Sequence, residues 1–348
     1  QQQQQQQRQP TRRAPMLARA AFIGFGLRAL STSMYTNSFR GLLHENSTAA
    51  DLTNVPARAD LAVRCRCGKC AFNVTVHGKA GSPPRLLRCH CVACRRYHTS
   101  AFATLTPVDK AEIPAAGGEV PIRSHAEACR SLGAVERIFC GKCSSVLATV
   151  PSGGEHEGSA LLALGCVDDA SIPEALALHW QEAFEERCVE SVASWWSAVP
   201  GPGSGTRTRT LRGGCACGGC RFEAVSKEGL QTQHCYCKLC RRLSGSVGQT
   251  WIPALDEDFR WTSDETLKLV RTSGHGQRHM CTRCGGVLTI VYDSQPDEIW
   301  PVAGALDDES LPEDIGGELS RAIHICCSMM QPWYRLPLDD LPRLRFPG

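Results

Sequence analysis

No part of the 348-residue chain approaches the roughly 20 consecutive apolar residues that a bilayer-spanning helix requires. Arg, Gly or Ser breaks each apolar run well short of that length, so a spanning helix is excluded. Long helical periodicity is also missing. Acidic residues are absent before Glu45: residues 1 to 44 hold six arginines (Arg8, Arg12, Arg13, Arg19, Arg28, Arg40) and no Lys, Asp or Glu. Subtracting that +6 from the net charge of +3 leaves −3 for residues 45 to 348. The body is therefore mildly acidic, and thiolates gathered round a metal would make it more so. Nucleic-acid binding through bulk electrostatics is disfavoured. The early segment also lacks the unbroken apolar core of a secretory signal, because Arg19 and Arg28 interrupt it. From Met16 onward, scattered Arg with Ser, Thr and intermittent apolar residues gives the composition of an amphipathic mitochondrial transit peptide. Residues 1–60 are expected to be such a segment or a disordered basic tail, and the protein to be mitochondrial or cytoplasmic.

With 42% hydrophobic and 21% charged residues, the composition is ordinary for a globular chain and fits neither a disordered nor a collagenous one. Cysteine is abundant, with 21 in the chain. A chain of this length does not need disulfides to compensate for a small core, so an odd count at short, regular spacings points to metal.

The cysteines reveal an internal duplication. One copy reads Cys65-Arg66-Cys67-Gly68-Lys69-Cys70, then Cys89-His90-Cys91-Val92-Ala93-Cys94-Arg95-Arg96, then Cys140-Gly141-Lys142-Cys143. The other reads Cys215-Ala216-Cys217-Gly218-Gly219-Cys220, then Cys235-Tyr236-Cys237-Lys238-Leu239-Cys240-Arg241-Arg242, then Cys281-Thr282-Arg283-Cys284. The offset between copies is 150, 146 and 141 residues for the three blocks, so the later copy has shed only a few loop residues. Gly165, Asp168, Asp169 and Pro173 then match Gly304, Asp307, Asp308 and Pro312 at an offset of 139. Domains are expected at 61–199 and 210–348, joined by a Pro-, Gly- and Ser-rich linker over 200–209. Phe72 to Val76 and Val287 to Tyr292 are β-rich runs. A mainly β domain with metal-stapled loops is predicted, with short helices near Asp168 to Glu174 and Glu182 to Trp196.

Zinc takes thiolates tetrahedrally at about 2.3 Å, and two cysteines one or two residues apart on a tight turn can offer it two sulfurs. Cys65 and Cys67 with Cys140 and Cys143, and Cys215 and Cys217 with Cys281 and Cys284, make two saturated sites, which read as structural staples. The middle blocks supply three sulfurs each: Cys89, Cys91 and Cys94, and Cys235, Cys237 and Cys240. Three protein ligands with an open position is the pattern of a catalytic zinc. Alternatively Cys70, Cys220, His90 or His234 closes the shell and makes a second structural site. About two zinc ions per domain are expected. Disulfides, and a thioredoxin-type motif that would not recur in three blocks, are the remaining readings. Arg95-Arg96 and Arg241-Arg242 follow the three-cysteine blocks and are expected to neutralise the metal site and hold a substrate carboxylate, or else to be a solvated pair. Cys129, Cys166, Cys188, Cys326 and Cys327 have no evident twins and read as buried small residues or incidental thiols. Trp195-Trp196 and Trp333-Tyr334 are expected in the core.

Gly-Gly-Cys-x-Cys-Gly at 213–218, His-Cys-x-Cys-x-x-Cys-Arg-Arg-x-x-Gly-Ser at 234–246, Met-Cys-x-x-Cys-Gly-Gly-x-Leu at 280–288, and Pro-Trp-Tyr with Asp-Asp-Leu-Pro-Arg at 332–343 carry a resemblance. Together they resemble the glutathione-dependent formaldehyde-activating enzyme and centromere protein V family, with its mostly β, tent-like fold. The resemblance covers nearly all of the second copy. In the first it covers the three cysteine blocks and Ala163 to Asp169, but Thr99 stands where Gly245 stands in the second. It implies a structural four-sulfur zinc and a three-sulfur zinc at which glutathione, or a related thiol, adds reversibly to formaldehyde, formally a carbon-sulfur lyase reaction. The first copy is the less certain catalyst. The competing class is a non-catalytic zinc-binding interaction module of the centromere protein V type.

Overall fold

The structure is a computed structural model that describes residues 54–118, 120–197, 209–226, 232–311 and 322–345. The basic segment up to residue 53, most of the expected linker, and Pro312 lie outside the described residues.

The β-rich stretches become strands in both copies. In the first copy, β1 (Arg58–Arg64), β2 (Ala71–His77), β3 (Leu87–Cys89), β4 (Ala103–Asp109), β5 (Ile122–Cys129), β6 (Gly133–Cys140), β7 (Val146–Pro151), β8 (Ser159–Ala163) and β9 (Glu185–Arg187) form one sheet. Its main path runs β1-β2-β4-β8-β7-β6-β5, with β3 antiparallel to β4 and parallel to β9. Alternation drives burial: in β1, Ala59, Leu61 and Val63 face the core while Arg58, Asp60 and Arg64 are exposed. β7 is buried at all six positions, as a central strand covered on both faces must be.

The second copy repeats the pattern. Its strands are β10 (Arg209–Gly214), β11 (Arg221–Ser226), β12 (Gln233–Cys235), β13 (Gln249–Trp251), β14 (Ala254–Leu255), β15 (Phe259–Ser263), β16 (Leu267–Ser273), β17 (Gly276–Cys281), β18 (Val287–Tyr292), β19 (Gln295–Pro301) and β20 (Ile323–Ile325). β12 lies between β13 and β20, and β14-β19-β18-β17-β16 reproduces β4-β8-β7-β6-β5 as a separate sheet. Helices are short: α1 (Val92–His98), α2 (Glu174–Glu182), α3 (Ser194–Ser197) and α4 (Lys238–Ser244). The region expected to be helical from Glu182 to Trp196 instead carries β9, a 3₁₀ turn at Val189–Ser191 and α3. Pairing with β3 outweighs weak local propensity there.

The two copies share a large core cluster, which includes Val63, Trp180 and Trp195 from the first and Phe222, Trp300 and Trp333 from the second, while a smaller cluster gathers around Cys89, Cys91 and Cys94 of the first. Contacts between them are reciprocal. Gly165 packs so tightly on the end of α4 that an added Cβ would lie 2.4 Å from the Arg241 carbonyl oxygen and 2.5 Å from the Ser246 amide. Its counterpart Gly304 meets the end of α1, where a Cβ would lie 2.5 Å from the Thr99 carbonyl carbon and the Ser100 amide. His98 Nδ1 donates to the Ser244 carbonyl (2.8 Å), and Gln249 Nε2 to Thr99 Oγ1 (2.8 Å).

The residue ending α1 explains the sequence departure at Thr99. Gly245 ends α4 at φ 64°, a left-handed conformation that glycine takes freely. Thr99 takes φ 47° at the equivalent place, where a β-branched residue costs about 1–3 kcal/mol. Its hydroxyl is fully buried and accepts the Gln249 hydrogen bond, which offsets part of that cost.

Candidate metal centres

The described residues gather cysteine sulfurs into four groups. Cys65 and Cys67 lie on the turn after β1, Cys140 at the end of β6 and Cys143 just beyond it. Their Sγ atoms are 3.5 Å apart for Cys65 and Cys67, and 3.8 Å for Cys67 and Cys140. The twin group has Cys215–Cys217 and Cys217–Cys281 separations of 3.5 Å each. Four thiolates around a tetrahedral ion at about 2.3 Å stand roughly 3.8 Å from one another, so both groups fit a metal of zinc's size. Cys70 and Cys220 sit alongside, each amide donating to the first cysteine of its group (3.2 and 3.3 Å), but neither joins the four.

The middle groups differ between copies. In each, the first cysteine ends a short strand and the second caps a helix, with Cys91 Sγ accepting from the Cys94 amide and Cys237 Sγ from the Cys240 amide (both 3.4 Å). Cys235, Cys237 and Cys240 form a group of three, with their sulfurs within 4.8 Å of one another. Cys89, Cys91 and Cys94 are joined by Cys129 at the end of β5, which is 3.5 Å from Cys91 and 3.6 Å from Cys94. The expectation that Cys129 is incidental is thereby corrected. The candidates named from spacing, His90 and His234, bond elsewhere: His90 Nε2 to Glu186 (2.5 Å), and His234 Nδ1 to Thr250 Oγ1 (2.8 Å). Burial lowers His234 to about 3, so its ring is neutral at neutral pH.

One thiol in each group is driven far below its ordinary value by hydrogen bonds from its sulfur neighbours: Cys65 from Cys140 and Cys143, Cys281 from Cys215 and Cys220, Cys129 from Cys89 and Cys91, and Cys237 from Cys235 and Cys240. Most of their neighbours are pushed up by burial and by those same sulfur contacts, so deprotonating the rest of each group falls to a bound cation.

A pair of arginines that sequence reasoning missed supports the middle groups. Arg137 on β6 and Arg278 on β17 are fully buried, and their guanidiniums donate to Cys94 Sγ (3.5 Å) and Cys240 Sγ (3.7 Å). Both stand three residues before the first cysteine of the third block, a signal visible only when the copies are superposed. Arg137 is also ion-paired with Glu127 at 3.0 Å. Position 272, equivalent to 127, holds Thr, and Arg278 donates to its hydroxyl.

The arginine pairs after the clusters are committed elsewhere. Arg241 makes two hydrogen bonds to Asp169 (2.6 and 2.7 Å), and Arg242 pairs with Asp168. Reciprocally, Arg95 pairs with Asp308 (2.5 Å) and Arg96 with Asp307 (2.7 Å). The repeated Arg-Arg and Asp-Asp motifs are thus the two halves of one clamp between the copies. The expected substrate carboxylate is replaced by the other copy's aspartates, and Arg95, Arg96, Arg241 and Arg242 are spent on holding the copies together.

Cys188 and Cys326 also prove to be twins. Each follows the short strand parallel to a cluster strand, at φ 55° and 58°, and Cys326 Sγ lies 4.0 Å from Cys235 Sγ. A small cavity of about 10 Å³, room for about one water, lies beside Cys235, lined by His234, Tyr236 and Gln249 of the second copy and by Ser100 and Trp196 of the first. Tyr236 Oη bonds His324 Nδ1 (2.8 Å), and His324 Nε2 bonds Asp339 (2.9 Å).

Fold and clusters together define a duplicated β domain built around thiolate groups able to hold metal. The family model described as "Glutathione-dependent formaldehyde-activating enzyme" matches residues 60–185 and 210–325, more than half of the chain. The chain belongs to the glutathione-dependent formaldehyde-activating enzyme family, in two tandem copies. A curated Halomonas elongata protein bearing the name "Putative glutathione-dependent formaldehyde-activating enzyme" is 30% identical over 105 residues, 28% of this chain and 67% of that protein. A crystal structure of a Rhodobacter sphaeroides protein aligns with 25% identity over 30% of this chain and 94% of that one, with a TM-score of 0.26.

Proposed function

We propose that the protein catalyses reversible addition of glutathione, or a related thiol, to formaldehyde at the three-cysteine cluster of the second copy, with zinc as the metal. The observation that carries the reading is the cluster of Cys235, Cys237 and Cys240, where among the described residues no fourth sulfur lies within 4.8 Å of all three, Cys326 coming within 4.0 Å of Cys235 without joining the group, and which lies beside a small cavity. Family membership supports the substrates, and the all-sulfur donor set supports zinc. In the reaction the thiol S–H adds across C=O, forming a carbon-sulfur bond, and the proton ends on the former carbonyl oxygen. Zinc held by Cys235, Cys237 and Cys240 supplies Lewis acidity that favours thiolate over thiol.

The chain's own groups do the rest. Arg278 balances part of the cluster's negative charge from a fully buried position. Trp196 and Tyr236 line the small space beside Cys235, which has no room for a tripeptide. Tyr236, His324 and Asp339 form a hydrogen-bonded chain able to hold a proton at Tyr236 Oη.

Thiol-dependent formaldehyde exchange, followed by NMR line broadening, tests the reading. Cys237→Ala is expected to abolish exchange while leaving the staple of Cys215, Cys217, Cys281 and Cys284 in place. An unmodified protein inactive with every thiol tried refutes the reading and leaves the zinc-binding interaction module. That alternative is favoured by one observation, the commitment of both arginine pairs to the interface.

A further inference from the structure

Cys129 belongs to a short insertion. On the strand entering the hairpin the copies are offset by 145 residues (Ile122 and Leu267, which pair with Cys140 and Cys281), and on the strand leaving it by 141. The four residues gained by the first copy fall at the tip, Cys129 to Leu132, where Cys129 pairs with Gly133 on a rung that the second copy lacks. There the second hairpin closes through Ser273 and Gly276 and carries no sulfur. The insertion delivers two groups to the first middle cluster. Cys129 Sγ lies 3.5 Å from Cys91 and 3.6 Å from Cys94, near the roughly 3.8 Å edge of a tetrahedral thiolate site. Ser131 Oγ is 3.0 Å from Cys89 Sγ and 3.3 Å from Cys129 Sγ, placing one hydroxyl between the two sulfurs. All four cysteines are buried.

The cysteine twins Cys188 and Cys326 do not play this part. They hold equivalent places after β9 and β20, and neither falls within the mutual 4.8 Å reach of its cluster. Charge follows the same division. With a divalent ion, the first cluster has one thiolate more than the second, and its buried arginine is already paired with Glu127. Among the described residues, the second cluster's arginine hydrogen-bonds only to Thr272 and Cys240. Of the two, the second is the site that tolerates an incoming anionic sulfur.

We propose that Cys89, Cys91, Cys94 and Cys129 form a closed tetrahedral site for a soft divalent cation of the zinc class, and that the second copy's cluster alone keeps an exchangeable position for a thiolate. The second half rests on the function proposed above; the first does not.

Cadmium-113 NMR of the whole protein, exchanged with cadmium, separates these statements without an activity assay. Three resonances in the all-sulfur range and one outside it are expected, with only the outlying line moving on addition of glutathione. In Cys129→Ala one further line leaves the all-sulfur range, giving two and two. Two and two in the unmodified protein overturns the closed site, and this holds even if Cys129→Ala fails to fold. Four all-sulfur lines would show that Cys326 closes the second cluster and would overturn the exchangeable position, as would a glutathione response at a first-copy line or at none. A three-and-one pattern with the expected glutathione shift, in a protein without thiol-dependent exchange, upholds this inference and refutes the proposed function.

Discussion

The clamp between the copies makes an asymmetric prediction about its two partners. Arg241 is 1% exposed and Asp169 is 32% exposed, joined by two short hydrogen bonds. Asp169→Ala strands a guanidinium that cannot reach water, and removing one partner of a buried pair in this way costs about 3–5 kcal/mol. Arg241→Met removes the buried charge, fills most of its volume, and leaves a carboxylate that is already one-third in solvent and free to turn outward. Its cost should be about 1–2 kcal/mol, closer to that of an exposed pair. At roughly 2–4 °C per kcal/mol for a body of this size, Asp169→Ala should lower the melting temperature by about 6–20 °C, and Arg241→Met by under half of that. The double variant should recover most of the loss, because no unpaired charge remains. The assay is denaturant and thermal unfolding followed by tryptophan fluorescence, with zinc held in excess so that metal loss does not set the midpoint. Arg241→Met matching or exceeding Asp169→Ala would refute the argument, as would an Asp169→Ala cost below about 1 kcal/mol.

Other outcomes follow from the same structure. Cys284→Ala should destabilise the second copy by several kcal/mol through loss of a structural metal, seen in metal content and melting together, whereas Cys237→Ala should affect exchange far more than stability. Gly304→Ala should cost about 1–3 kcal/mol in unfolding experiments, since its Cβ would meet the Thr99 and Ser100 backbone at 2.5 Å and the copies must part to admit it. Burial holds His98 at about 3 against an ordinary value of 6.5, so its ring is neutral in the folded protein while the unfolded chain takes up a proton below about 6.5. Its effect is nil above that pH and grows as pH falls toward 3. Stability measured between pH 7 and 4 should therefore decline less steeply in His98→Asn, and parallel slopes would contradict the assignment.

How much of this was legible in the sequence depended on whether a property was local. The duplication, the β character and the four-cysteine groups were all readable. Short Cys-x-Cys and Cys-x-x-Cys turns announce their chemistry within a few residues, and a repeat doubles every such signal. Trp195, Trp333 and Tyr334 were correctly expected in the core, whereas Trp196 is only half-buried against it. The arginine pairs show the limit. Their recurrence marked them as important, but the same four letters suit a substrate carboxylate or the other copy's Asp168-Asp169 and Asp307-Asp308, and only the packing of α1 and α4 across the interface chose between them. Cys129 shows it more sharply. It lies 35 residues from Cys94 with no twin in the other copy, so neither spacing nor repetition pointed to it. A metal shell closes in space, and hairpin length decides which side chain reaches it. Thr99 and Gly245 divide the same way: the substitution was visible in the sequence, but the left-handed backbone and the Gln249 hydrogen bond that give it meaning exist only once the two copies are folded together.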